Sequence, residues 1–100
     1  MEYFVNPQDK EVTIKLNSCF DVSGYELFKS ICTENMTENN HFVVDFENTE
    51  FMDSSALGML LLLREHTRGD KSRVTFINVK KSARKILEIA QFHQLFNIQS

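Results

Sequence analysis

The chain has 100 residues, 42% of them hydrophobic and 25% charged, which excludes an intrinsically disordered or low-complexity protein and fits one domain, residues 1–100, with a modest core. Lys and Arg total 11 against 14 Asp and Glu, a net charge of -3, so there is no basic footprint for direct nucleic-acid binding. The longest apolar run, Met59 to Leu63, falls far short of the roughly 20 residues a membrane segment needs, and the acidic start MEYFVNPQDK has neither the basic nor the apolar part of a signal peptide. A cytoplasmic location follows as the expectation, with Cys19 and Cys32 reduced and serving as small buried hydrophobes.

Asn6-Pro7-Gln8-Asp9 reads as a turn between a short strand at Tyr3 to Val5 and a second at Glu11 to Leu16, where Val12, Ile14 and Leu16 alternate with polar neighbours. Asp21 suits the N-cap of a helix carrying Val22, Tyr25, Leu27, Phe28 and Ile31, which fades through TENMTENN. HFVVDF, His41 to Phe46, is nearly continuous in apolar and β-branched residues and predicts a central strand covered on at least one face. The next helix runs from Ala56 to about Arg68 and is stopped by Gly69, with Arg64, His66 and Arg68 near its negative dipole end. RVTFI, Arg73 to Ile77, is the next strand, and Lys80 to Ala90 returns to a helical period with Ala83, Ile86, Leu87 and Ala90 on one side. Phe92, Leu95, Phe96 and Ile98 pack as a terminal helical turn or a short strand. The order β-β-α-β-α-β-α predicts parallel neighbours joined by right-handed crossovers, hence an α/β domain with helices packed on the sheet.

Functional loops of open α/β sheets collect beyond the carboxyl ends of the strands. FMDSSALG, residues 51 to 58, is such a loop, and the helix entered through Asp21 starts on the same edge. Asp53-Ser54-Ser55 admits two readings. Any of the three can cap the helix, a role worth ~1 kcal/mol. Alternatively, one serine accepts a phosphate, which the helix dipole tolerates while the surface gains about -1.5 to -2 charge, altering partner binding without refolding the domain. Hydrolase chemistry lacks both a G-x-S-x-G elbow and a general base, since His41, His66 and His93 are scattered, so no enzymatic activity is expected. No His and Cys pair has zinc spacing, and Asp45, Glu47, Glu50 and Asp53 either face a divalent ion or are simply solvated; no metal or cofactor is expected. At about 100° per residue, Ala56, Leu57, Leu60, Leu63 and Thr67 share the side that can face the sheet. Met59 and Leu62 lie toward the opposite side, beside Ser55 and His66, where they form a partner surface or are covered by another helix.

FMDSSALG with its apolar helix, the Gly-bounded turn, RVTFINVKKSARKIL and the ending QFHQLFNI resemble the STAS domain, and in particular a stand-alone bacterial anti-sigma factor antagonist. The resemblance spans nearly the whole chain, including FDVSGYELF at the first helix and HFVVDFENTEFMDSS at the central strand and loop. It implies an α/β fold with a four- to five-stranded mixed sheet and helices mainly on one face. It also implies that Ser54 is phosphorylated by an anti-sigma factor that is itself a serine kinase, and that a metal-dependent serine phosphatase removes the phosphate. Asp21 and Asp53 are then the acids of the phosphorylation loop, Ser55 supports the helix start, and Met59 and Leu62 contribute to docking. Unmodified, such a protein holds its anti-sigma partner and frees a sigma factor for transcription; modified, it releases the partner. Ala56 stands where the family often has glycine, and Asn17-Ser18-Cys19-Phe20 lacks the glycine common before the first helix. A constitutive accessory subunit of a membrane lipid or anion transporter, with the serines acting only as caps, is the other role the resemblance allows.

Overall fold

The opening hairpin forms where alternation places it. Strands β1 (Glu2–Asn6) and β2 (Glu11–Lys15) run antiparallel, with Tyr3 opposite Ile14 and Val5 opposite Val12. Asn6 holds the turn through its side-chain oxygen, which accepts the amides of Gln8 and Asp9 at 3.1 and 3.3 Å, the local backbone mimicry that makes Asn a turn residue. The computed structural model describes residues 1–35 and 40–99.

After the hairpin come β3 (Cys19–Phe20), a 3-10 turn (Val22–Gly24), α1 (Tyr25–Glu34), β4 (His41–Asp45), β5 (Phe51–Met52) and α2 (Ser54–His66). A second 3-10 turn (Lys71–Arg73) leads into β6 (Val74–Ile77), followed by α3 (Lys81–Ile89), a third 3-10 turn (Phe92–Gln94) and β7 (Asn97–Ile98). The main sheet has five strands in the order β1-β2-β4-β6-β7, and every neighbouring pair is parallel except the opening hairpin. The expected mixed sheet is therefore present. Its C-terminal edge resolves the open choice for the last apolar cluster in favour of both elements, a helical turn and then a short strand.

One face of the sheet carries the core. Val12, Ile14, Phe42, Val44, Val74 and Phe76 are buried and join Phe28 and Ile31 of α1, Leu60 and Leu63 of α2 and Leu87 of α3 in a single apolar cluster. Fully burying each such side chain contributes about 1.5–3 kcal/mol. Phe76 stacks on Phe96 at 4.6 Å and meets Phe46 at 5.2 Å between ring centroids, which anchors the C-terminal turn to the central strands. Thr13, Val43 and Thr75 lie in register on the other, more polar face, where the His41 ring bonds the Thr75 hydroxyl at 2.9 Å. The alternation of a half-solvated sheet thus appears even in HFVVDF, whose near-continuous apolar character hides it.

Several boundaries differ from the sequence expectation. Asp21 caps the 3-10 turn, and the α-helix proper begins at Tyr25; only Phe28, Ile31 and Cys32 of α1 are buried, leaving Val22 and Leu27 exposed. α1 ends at Glu34 with Asn35 as its cap, and residues 36–39 of TENMTENN lie outside the described residues. α2 starts at Ser54, two positions before Ala56, because Asp53 is the cap. Its end is set by Arg68 and Gly69, both at positive φ; at Gly69, with φ of 72°, a side chain would strain the backbone and glycine does not. Among the described residues no helix is long and apolar enough to cross a membrane.

The docking assignment of Met59 is corrected here. Met59 is only 2% exposed, and its methyl group lies 3.9 Å from where a Cβ on Gly24 would stand, under the start of α1. α1 packs along that flank of α2, so the buried arc turns from Leu60 toward Met59 and away from Leu57, which is half-buried. Leu62 is also half-buried, and the outward ridge is Ser54, Gly58, Leu61 and Glu65.

Candidate functional site

Two chain segments are laced together ahead of α1 and α2. Thr49, fully inside, donates its hydroxyl to the Asn17 carbonyl at 3.0 Å, and the amides of Glu50 and Phe51 donate to the Ser18 carbonyl at 2.8 and 2.9 Å. The strands β3 and β5 then pair in parallel, Cys19 with Phe51 and Phe20 with Met52. Phe20 points inward and packs on Phe28 at 5.7 Å, which fixes this small sheet to α1. Asp21 and Asp53 each follow directly on a paired residue, so the register stands the two helix-entry acids at matching positions.

Each acid closes the same box on its own chain. The Asp53 Oδ1 accepts the Ser55 amide at 3.0 Å, the Ala56 amide at 3.2 Å and the Ser55 hydroxyl at 2.5 Å. The Asp21 Oδ1 accepts the Ser23 amide at 3.0 Å and the Ser23 hydroxyl at 2.6 Å. These contacts satisfy amides that a helix start leaves without partners. The hydroxyl of Ser23 and the thiol of Cys19, which donates to the Asp21 Oδ2 at 3.2 Å, hold the Asp21 carboxyl below the usual carboxylate range.

Ser54 sits between these bonds without joining them. It is the first residue of α2, it is exposed, and its hydroxyl makes no hydrogen bond among the described residues. Capping therefore accounts for Asp53 and Ser55 and leaves Ser54 with a free oxygen at the positive end of a 13-residue helix. One turn along, Gly58 is exposed, and a Cβ built on it meets nothing within 4 Å. Gly in a helix interior costs roughly 0.5–1 kcal/mol relative to Ala, and no packing among the described residues requires it. Leu61, 40% exposed, and Phe51, 68% exposed, add apolar surface on either side of Ser54 in the chain.

The site residues named from the sequence are thus sorted. Asp21, Asp53, Ser54 and Ser55 come together; Met59 faces inward and Leu62 is half-buried. Asp45 leaves the set of loop carboxylates: it is buried and accepts the Glu47 amide at 2.9 Å and the Asn78 side-chain amide at 3.0 Å. Sequence reasoning missed β3 and β5, whose two residues each fall below the reach of periodicity. The signal for them was the near-repeat CFDVS and FMDSS, two apolar residues followed by Asp-x-Ser. Cys19 was also misplaced. It lies on the outer side of β3 while Phe20 takes the inner side, and the bond to Asp21 raises its pKa. Cys32 is buried as expected, and burial pushes its thiol up to about 12.

Comparison with known proteins places this geometry among relatives. Residues 3–100 match the family described as STAS domain. A STAS-domain containing protein of Pseudomonas aeruginosa (strain UCBPP-PA14) is 39% identical over 89 residues, covering 89% of this chain and 88% of that protein. Among solved structures, a candidate anti-sigma factor antagonist from Thermotoga maritima superposes with a TM-score of 0.82 at 15% identity, covering 99% of this chain and 85% of that one. The anti-sigma factor antagonist SpoIIAA in its unphosphorylated form gives 0.71 at 20% identity, with 99% and 86% coverage. The Bacillus cell fate determinant SpoIIAA in its phosphorylated form gives 0.67 at 17%, with 99% and 92% coverage. At these identities the superpositions establish the fold.

Proposed function

The chain belongs to the STAS domain family, and from that membership we propose that it is an anti-sigma factor antagonist whose hold on its partner is set by phosphate on Ser54. The observation that carries the reading is the free Ser54 hydroxyl in a box whose other two members are already bonded. The unmodified protein binds an anti-sigma factor with serine kinase activity. That partner transfers a phosphoryl group to Ser54, and a separate serine phosphatase restores the hydroxyl. The domain itself catalyses nothing: it supplies an accessible acceptor and a surface.

Ser54, Gly58 and Leu61 form the ridge of α2 on which the partner docks, in place of Met59. Gly58 lets a facing backbone come close, and Leu61 supplies apolar contact. The helix start tolerates a phosphate on Ser54 through its dipole, so the fold persists. The surface beside Asp21 and Asp53 meanwhile gains about -1.5 to -2 charge, which repels an acidic partner face and must be desolvated at cost against an apolar one. Release follows from electrostatics at the ridge. The test is the affinity of the partner for the unmodified protein, for Ser54→Ala and for Ser54→Asp. The first two should bind alike and the third weakly; equal affinity for all three contradicts the proposal.

A further inference from the structure

The two edges of the main sheet are unlike. β7 is two residues long, too short to template another strand, whereas β1 offers five residues, Glu2–Asn6, with no proline, lysine or glycine among them. Natural edge strands are usually blunted by proline, by charged residues, lysine above all, by bulges or by shortness; of the protecting residues β1 has Glu2 alone, at its first position. β1 pairs with β2 without a break in register, so it also lacks a bulge. Its side chains find little cover: Tyr3 is 42%, Phe4 57% and Val5 49% exposed. Tyr3 and Val5 point to the same side as Ile14 and Val12, beyond the helices that cover those two, and Phe4 points to the opposite face beside Thr13.

We infer that β1 is a self-association edge, joining a second copy of this chain as an antiparallel strand about a two-fold axis through Phe4. The strand sequence favours that occupant and that register. Centred on Phe4, the pairing sets Phe4 against Phe4, Tyr3 against Val5, and Glu2 against Asn6 of the second copy. Apolar side chains then meet on both faces, and a carboxylate faces an amide, with no like charges opposed. Centring on Tyr3 instead sets Glu2 against Phe4. Centring on Val5 brings Pro7, which has no amide to give, opposite Tyr3. Only the Phe4 register matches apolar with apolar and uses the whole strand, and it makes one ten-stranded sheet from two five-stranded ones. The inference stands apart from the switch at Ser54.

Sedimentation equilibrium of the full chain over a wide concentration range tests it, together with oxidative cross-linking in a Cys19→Ser background. The wild type should pass from monomer to dimer as concentration rises. Phe4→Glu, which opposes two carboxylates at the axis, should remain monomeric with an unchanged circular dichroism spectrum. Phe4→Cys should form a disulfide-linked dimer, because facing residues in an antiparallel pair have Cα atoms about 4.5–5.5 Å apart, inside disulfide range. Asn6→Cys should not, since its two copies are far from the axis. A wild type that stays monomeric throughout overturns the inference. So does a dimer that survives Phe4→Glu, an Asn6→Cys cross-link as fast as that of Phe4→Cys, or pairing of β1 only with a strand of a different protein.

Discussion

The two ends of α2 carry the same device put to different use. Before the helix, Asp53-Ser54-Ser55 closes on itself with the Ser55 amide at 3.0 Å and the Ser55 hydroxyl at 2.5 Å. After it, Asp70-Lys71-Ser72 does the same at 3.0 and 2.6 Å. The acid and the second serine are interchangeable between the boxes, so an Asp-x-Ser pair marks a turn and nothing more. What differs is the residue between them and what the box begins. Lys71 has no hydroxyl and opens a three-residue 3-10 turn, while Ser54 leaves an unbonded hydroxyl on the first turn of a 13-residue helix. The capping and the candidate acceptor can therefore be separated by mutation.

The largest stability effect belongs to neither end but to the middle of the helix between them. Met59→Ala should cost about 2–5 kcal/mol in chemical denaturation, as a buried truncation does, whereas Leu61→Ala on the outer ridge should cost no more than ~0.5 kcal/mol while weakening partner binding. A similar loss for both would erase the distinction between the inner and outer faces of α2. Next in size, phosphate on Ser54 should reduce partner affinity by on the order of 10- to 100-fold by calorimetry, and Ser72→Asp at the far box should leave it unchanged. If both changes weaken binding equally, the effect is one of bulk charge and the two boxes are equivalent.

Loss of the caps comes third. Asp53→Ala should lower stability by about 1–2 kcal/mol and Ser54→Ala by less than about 0.5 kcal/mol, because the Ser54 hydroxyl makes no hydrogen bond among the described residues. Asp70→Ala should fall between them, since a single 3-10 turn depends on that cap. The smallest effect is on the acid limb of stability. Serine bonds hold the carboxyls of both Asp21 and Asp70 below their ordinary range. A depressed folded pKa contributes stability that is complete above the unfolded value, about pH 4, and is lost as pH falls through the lower folded value. Asp21→Asn and Asp70→Asn should each flatten that acid-side decline in a urea titration run from pH 5 downward. An unchanged slope would mean that the bonds seen here do not persist in solution.

The fold was legible where periodicity is long. Val12, Ile14 and Leu16 announce β2, and the leucines of α2 between Asp53 and Gly69 announce a helix with both ends marked. The direction of α2 was less legible, because Met59 is buried by α1, a neighbour from a distant part of the chain, and an apolar pattern on one helix does not say which flank another helix will take. The site was half legible. The Asp-Ser-Ser run at a strand-to-helix turn located it, but the division of labour between Ser54 and Ser55 depends on which hydroxyl Asp53 bonds. The partnership of Asp53 with Asp21 depends on two strands too short to leave a pattern. Residues bonded across 32 positions, Asn17 and Thr49, hold those strands together, and no local rule anticipates them.

Site-resolved mass spectrometry of the protein taken from its own cells, beside a Ser54→Ala version expressed at the same level, bears most directly on the acceptor. The free hydroxyl predicts a phosphate on the peptide at Ser54, absent from Ser54→Ala, with Ser55 and Ser72 unmodified because each is bonded to its acid. Phosphate on Ser55 in the wild-type protein, or no phosphate at Ser54 under any growth condition, would contradict it.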